Sequence, residues 1–292
     1  KRFDTEDVVV SAESITSPVW SFGATTLTTF FTSSTQTGGT SADYYYNVFN
    51  TGSALANSRV QFAIAYADKK GSGSLNFNVN VPGKSPSSTV YGQYRNLVLG
   101  DEDSDFTFGS KTSETFYVLS IERARYKEKL LPGTLDLVLG ISGSGARLRL
   151  TDDSQVNSTI RFNDAGRVYE LVSGSQGSVY TTQNANGYSD ASGSYGKLLP
   201  DVGVILLNAS ALDLATGSAG GIQLATNRGA NTAALNQRKL YDAIREGGSF
   251  RIQGEETVSS NFVFVRARNS EFNYSTNPSL ITGSGEIRHN VM

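Results

Sequence analysis

Cysteine is absent from the 292 residues, and histidine occurs once, as His289 near the C-terminus. The first absence excludes a disulfide framework, thiolate metal sites and a cysteine nucleophile. The second leaves no imidazole in the body of the chain for a Ser-His-Asp triad and excludes a multi-histidine metal centre. Charge is not in excess either: 25 basic against 27 acidic residues give a net charge of −2 and a pI near 5.6. There is no basic field to draw in DNA or an anionic membrane, so nucleic acid is not an expected partner. No apolar run approaches the roughly 18 residues that cross a bilayer, and no signal-peptide core follows Lys1, so no membrane span is expected. What survives is chemistry by carboxylates, hydroxyls, lysine or backbone groups, or no chemistry, and no cofactor is implied.

Glycine (30 residues), serine and threonine are plentiful instead, while 14 tyrosines and 15 phenylalanines supply bulky packing area to a chain only 38% apolar. Val8-Val9-Val10, Trp20-Ser21-Phe22 and Leu27 to Phe31 read as opening β segments. Val60, Phe62, Ile64 and Tyr66 alternate with smaller or polar residues. Across the turn 69–73, Leu75, Phe77, Val79 and Val81 alternate with asparagines, which predicts a half-buried hairpin. Two long strands, 116–131 and 134–141, are expected to join at the type II turn dipeptide Pro132-Gly133. Shorter candidates follow at 147–150, 159–162 and 167–172, and the unbroken apolar run Val202 to Leu207 reads as a strand buried on both faces.

Two segments carry helical spacing. Val90, Tyr94 and Leu97 share one face between Ser85, Pro86 and Gly100, which predicts a helix over Pro86–Leu99 with a serine N-cap. Ala233, Gln237, Leu240 and Ile244 do the same over 231–246, before Gly247. The expected fold class is therefore mainly β, an antiparallel β-sandwich-like architecture with two short α-helices. Long Ser/Gly-rich loops at 32–41, 142–145 and 173–196 belong on its surface. Residues 1–292 read as a single mainly-β structural unit, with one candidate boundary at a composition shift near 140–151 and no fixed-period repeat. Starting at Lys1 and ending abruptly at Met292, the sequence reads as the ordered part of a longer chain.

Asp101, Asp103 and Asp105 alternate as the first ligands of a calcium loop do, and are the metal candidates. The sixth and twelfth places hold Phe106 and Thr112 instead of glycine and a carboxylate, so a polar turn is the simpler account. Gly83-Lys84-Ser85 ends like a phosphate-binding loop, but Asn78 stands where its first glycine belongs. No serine has glycines two residues before and after it, so the nucleophile elbow is missing. Asp136, Asp152, Glu170 and Asp213 could converge as glycosidase carboxylates, though nothing in their spacing requires it. Tyr44-Tyr45-Tyr46 could stack a sugar, yet in a strand Tyr44 and Tyr46 share one face and Tyr45 takes the other, which fits core or interface packing better. Glu122, Arg123, Arg125, Lys127, Glu128 and Lys129 mix both signs on an expected strand, the pattern of a solvated or intersubunit salt-bridged edge. The interface candidates are Tyr44, Tyr46, Arg123, Arg125 and Tyr126; no catalytic or cofactor-binding residue is assigned.

The opening Lys1-Arg2-Phe3-Asp4-Thr5-Glu6-Asp7-Val8-Val9-Val10-Ser11-Ala12-Glu13-Ser14 is similar to the start of a virion structural protein of T4-like phages that infect marine cyanobacteria. Val60 to Tyr66, Thr89 to Gly100 and Phe116 to Leu130 are similar to stretches of it as well, a likeness of general texture over most of the chain. The resemblance implies assembly rather than catalysis. It points to a non-enzymatic component of a contractile tail or baseplate wedge, located in the virion and assembled in the host cytoplasm. Its partners would be copies of itself and other virion tail proteins. A receptor- or glycan-binding module, as in a tail fibre or capsid decoration, is the alternative, and a carboxylate-dependent glycoside hydrolase comes third.

Overall fold

Residues 8–33, 44–74, 80–81, 85–140, 145, 147–180, 193–213 and 235–265 are described in a computed structural model of the chain. Features expected at 34–41, 75–79, 83–84, 142–144, 181–192 and 231–234 lie outside the described residues. In chain order the elements are β1 (Val8–Pro18), β2 (Thr26–Leu27), β3 (Tyr46–Phe49), β4 (Val60–Asp68), α1 (Pro86–Leu99), β5 (Phe106–Phe108), β6 (Lys111–Ser113) and β7 (Thr115–Ile121). Next come β8 (Lys129–Leu130), β9 (Asp136–Gly140), β10 (Arg147–Asp152), β11 (Arg161–Asn163), β12 (Gly166–Ser175), β13 (Ser178–Val179), β14 (Gly196–Leu199) and β15 (Val204–Asn208). The single turn α2 (Ala209–Leu212), the helix α3 (Leu235–Gly247), β16 (Phe250–Arg251) and β17 (Gln253–Val263) complete them. The class is mainly β, antiparallel and sandwich-like, with α2 as a third helix beyond the two expected.

Two compact units result: 15–256, and the terminal segments 1–14 with 257–292. The division does not fall at the composition shift near 140–151, because β9 and β10 on either side of it are antiparallel neighbours, with Leu139 opposite Leu148.

In the larger unit one antiparallel sheet runs β2-β16-β9-β10-β12-β14-β15-β7-β4-β3, and β11 and β13 pair with β12 beside it. Its inner face is largely apolar, with Phe62 and Ile64 of β4, Leu119 of β7, Ile205 of β15, Leu171 of β12 and Leu137 of β9 in one buried cluster. The sheet folds back on itself, since Phe62, next to one end of the strand order, lies 5.4 Å (ring centroids) from Phe250, next to the other end. Trp20 packs against both rings, at 6.1 and 4.8 Å. Helix α3 lies against β9 and β4, and its Tyr241 ring is 5.4 Å from Tyr46. Each fully buried leucine, isoleucine or phenylalanine contributes about 1.5–3 kcal/mol, so this face dominates the stability of the unit.

The outer face of β4, β7 and β15 is covered by α1 and by the β5–β6 hairpin, through Val90, Tyr91, Tyr94 and Val98 and through Phe106 and Phe108. Strand β15 is consequently buried on both faces, as its unbroken apolar run predicts. Helix α1 has the predicted limits: Ser85 precedes it, Ser88 Oγ accepts the Ser85 N–H at 3.1 Å, and Gly100 closes it at φ 62°. Its buried face is Val90, Tyr91, Tyr94 and Val98, while Leu97 lies on the flank and is exposed.

Three expectations are corrected. No hairpin joins 116–131 to 134–141: β7 lies between β4 and β15, and β9 between β16 and β10. The Pro132-Gly133 turn does form, with Gly133 at φ 84°, but it links the two-residue β8 to β9. Residues Glu122 to Arg125 are not in a strand, because Arg123–Arg125 form a 3-10 turn after β7. The opening segments also differ, since β1 runs unbroken from Val8 to Pro18 and Ser21–Gly23 form a turn.

Candidate functional site

Asp136, Asp152 and Glu170 are brought onto neighbouring strands β9, β10 and β12, while Asp213 ends the α2 turn elsewhere. Glu170 is almost wholly buried. Its Oε1 faces Arg161 Nη1 at 3.2 Å and Lys197 Nζ at 3.4 Å, and its Oε2 accepts from Ser194 Oγ at 2.5 Å and Gly109 N–H at 3.2 Å. Arg161 also reaches Asp153 Oδ2 at 3.3 Å, and Asp153 Oδ1 accepts the Glu170 N–H at 2.9 Å. Asp136 is held by the Arg149 guanidinium and by Ser175 Oγ at 3.0 Å. Asp152 accepts the Gly133 N–H on both oxygens, at 2.8 and 2.9 Å. Burial pushes the pKa values of Asp152 and Asp153 upward. These carboxylates therefore tie strands, the β5–β6 hairpin and the Pro132-Gly133 turn together, a structural use that takes up their acceptor capacity.

The acidic turn is likewise committed. Asp101 accepts from Asp103 N–H at 2.8 Å and Ser104 Oγ at 2.5 Å, and Asp105 pairs with Lys69 Nζ at 2.5 Å and accepts from Tyr91 OH at 3.3 Å. Ser104 and Lys69 respectively hold the Asp101 and Asp105 carboxyls below the usual range, and burial pushes the Tyr91 phenol up to about 12. Asp101, Asp103 and Asp105 thus do not converge, and among the described residues no group of three or more acidic or histidine side chains could hold a metal ion. At the start of α1, Ser85 Oγ donates to Gly71 O at 2.5 Å and Ser74 Oγ accepts the Ser87 N–H at 3.2 Å, so the helix terminus is capped from within.

The interface candidates separate into two groups. Tyr46 (1% exposed) and Tyr126 are core residues, inaccessible to a partner: the alternation that points Tyr46 along β3 points it inward, and Tyr126 lies under the Arg123 guanidinium at 4.7 Å. Tyr44 is exposed, Arg123 is exposed, and Arg125 donates to Ser21 Oγ at 2.7 Å. Tyr45 turns the other way and donates to Gln93 Oε1 on α1 at 3.0 Å, so the three tyrosines do not make one platform.

Sequence reasoning missed two surfaces. Residues 257–265 carry no charge, and Val258, Phe262, Val263, Phe264 and Val265 are 40–72% exposed. The missing charges were visible in the sequence; the exposure was not. The second is Phe22, 79% exposed at φ 63° in the 20–24 turn, a conformation for which a phenylalanine gives no sequence signal. Among the described residues, no helix is long and apolar enough to cross a membrane. The chain matches no known family, no curated protein and no solved structure.

Proposed function

We propose that the chain is a non-enzymatic structural subunit of a contractile phage tail, in or near the baseplate, that works through contacts with copies of itself and other virion proteins. The carrying observation is the charge-free segment 257–265, with five of its apolar side chains in water. Exposed apolar side chains grouped in this way mark a surface suited to being covered by a neighbour. The particle itself is supplied by the resemblance of Lys1 to Ser14, Val60 to Tyr66, Thr89 to Gly100 and Phe116 to Leu130. The carboxylates that a hydrolase would use are engaged with internal donors, and the tyrosines that a glycan module would use face in different directions, so neither alternative gains an observation.

Proteomics of purified virions, with the mass of the purified chain in solution, tests the proposal. The expected result is peptides from this chain in virions and a multimer in solution. A strict monomer that never co-purifies with particles would refute it.

A further inference from the structure

Strand β17 is unevenly partnered. It lies between β1 and β8 in a three-stranded sheet, but β8 pairs only with Gly254 and Glu255, so among the described residues the β8 side of β17 is an open edge beyond them. Both faces of the stretch 258–263 are in water. Val258 and Phe262 share one face and are 40% and 54% exposed, while Val263, on the other, is 49% exposed. An open edge offers a row of backbone donors and acceptors to an incoming strand, and natural edges are blunted by charge or proline. Strand β1, at the opposite edge of the sheet, carries Glu13 and Pro18, whereas 258–263 carries neither charge nor proline.

The order of residues about Ser260 says what fits this edge. Outward from it, Ser259 and Asn261 are both small and polar, and Val258 and Phe262 are both apolar. An antiparallel second copy, related by a two-fold axis through Ser260 perpendicular to the sheet, sets residues equally far from Ser260 opposite one another. Val258 then faces Phe262 of the other copy twice over, a favourable pairing of a β-branched with an aromatic side chain, and Ser259 faces Asn261. The nearest carboxylates, Glu255 and Glu256, are held by Lys129 and Lys127 at 3.7 and 2.7 Å and fall opposite Val265 and Phe264, so no like charges meet. An axis at Ser259 would set Phe262 against Glu256, and one at Asn261 would set it against Ser260. Of the three, only the axis at Ser260 gives Phe262 an apolar partner.

We infer that β17 of a second copy completes this edge, joining two sheets into one in the order β1-β17-β17-β1. A strand with a neighbour on one side only is marginal in water, and the second copy supplies the missing side. The contact is isologous and closes as a two-fold dimer. It rests on the assembly reading above and deepens it, with this chain itself as the partner and one strand edge as the surface.

Because the chain has no cysteine, a single introduced thiol reports the register without background. With the axis at Ser260, residue 260 stands opposite itself with Cα atoms about 4.5–5.5 Å apart, inside the range that a disulfide spans. Residue 259 lies diagonally from its own copy at about 7–8 Å, beyond that range. Under oxidation, Ser260→Cys in the full chain should form a disulfide-linked dimer about tenfold or more faster than Ser259→Cys, and Ser259→Cys mixed with Asn261→Cys should give the heterodimer. In sedimentation velocity, Phe262→Lys should weaken dimerisation about tenfold or more, because both Val258–Phe262 pairs are lost at once. Its circular dichroism spectrum should stay native, since the replaced side chain is 54% exposed. Equal cross-linking of the two serine variants, or wild-type association of Phe262→Lys, overturns the edge pairing. Where either result accompanies a chain that is still multimeric and present in virions, another surface assembles it and the assembly reading stands; a monomer absent from virions overturns that reading as well.

Discussion

Glycine and alanine at position 22 should differ in stability in the direction opposite to their usual order. Both substitutions remove the same ring, and because it is 79% exposed its loss costs about 0.5 kcal/mol or less in either variant. Alanine keeps a β-carbon at φ 63°, whereas glycine is relieved of the left-handed penalty of about 1–2 kcal/mol. Glycine gives back about 0.4–1 kcal/mol through the greater freedom of its unfolded chain. The balance favours Phe22→Gly over Phe22→Ala by about 1 kcal/mol, whereas glycine in ordinary extended or helical backbone is the less stable of the two. Urea unfolding, at a protein concentration where the wild type is monomeric, should place the glycine midpoint about 0.3 M above the alanine midpoint, for an m-value of about 3 kcal/mol per M. An alanine variant equal to or more stable than the glycine variant would refute a strained turn at Phe22.

Other outcomes follow from the charge network and the caps. Glu170→Ala strands Lys197 and Arg161 beside a buried site and should cost about 3 kcal/mol, the lower end of the range for a broken buried pair, because the Arg161 side chain is 43% exposed and can turn to water. Adding Lys197→Met should recover part of that loss, and a double variant no more stable than the single in urea would count against the pairing. Gly100→Ala places a β-carbon at φ 62° against the Asp164 carboxylate and should lower Tm by about 2–4 °C per kcal/mol, with about 1 kcal/mol expected; an unchanged Tm would exclude the left-handed cap. Burial raises the Asp152 pKa above its unfolded value of about 3.9, so charging it is harder in the folded chain. Its contribution is therefore most favourable below that value and is lost as pH rises through the folded pKa. Asp152→Asn should gain on the wild type as pH rises from about 4, and a urea midpoint of the variant minus that of the wild type that stays constant or falls would contradict the sign.

The elements most legible in the sequence were those whose reasons are local. Helix α1 is bounded by Ser85, Pro86 and Gly100, and α3 runs through Gly247 and is closed by Gly248 at φ 75°, one position past the glycine expected to end it. Strand β15 advertised its burial on both faces by an unbroken apolar run, because neither face could tolerate a polar residue. The Pro132-Gly133 turn was also legible, but not what it connects: which strands pair is decided by contacts such as Phe62 with Phe250, far apart along the chain. The same holds for the carboxylates. Glu170 is understood only once Gly109, Arg161, Ser194 and Lys197 surround it, and no spacing in the sequence announces that set. Tyr44 and Tyr46 looked alike as interface residues because alternation gives a shared face without saying whether that face turns to the core.

An image reconstruction of an intact phage particle tests the proposed assembly role most directly. Density for this chain should recur in symmetric copies in or near the baseplate, with neighbouring protein covering Val258 and Phe262 to Val265. Particles reconstructed to side-chain detail with no density for the chain in tail, baseplate or elsewhere would contradict it.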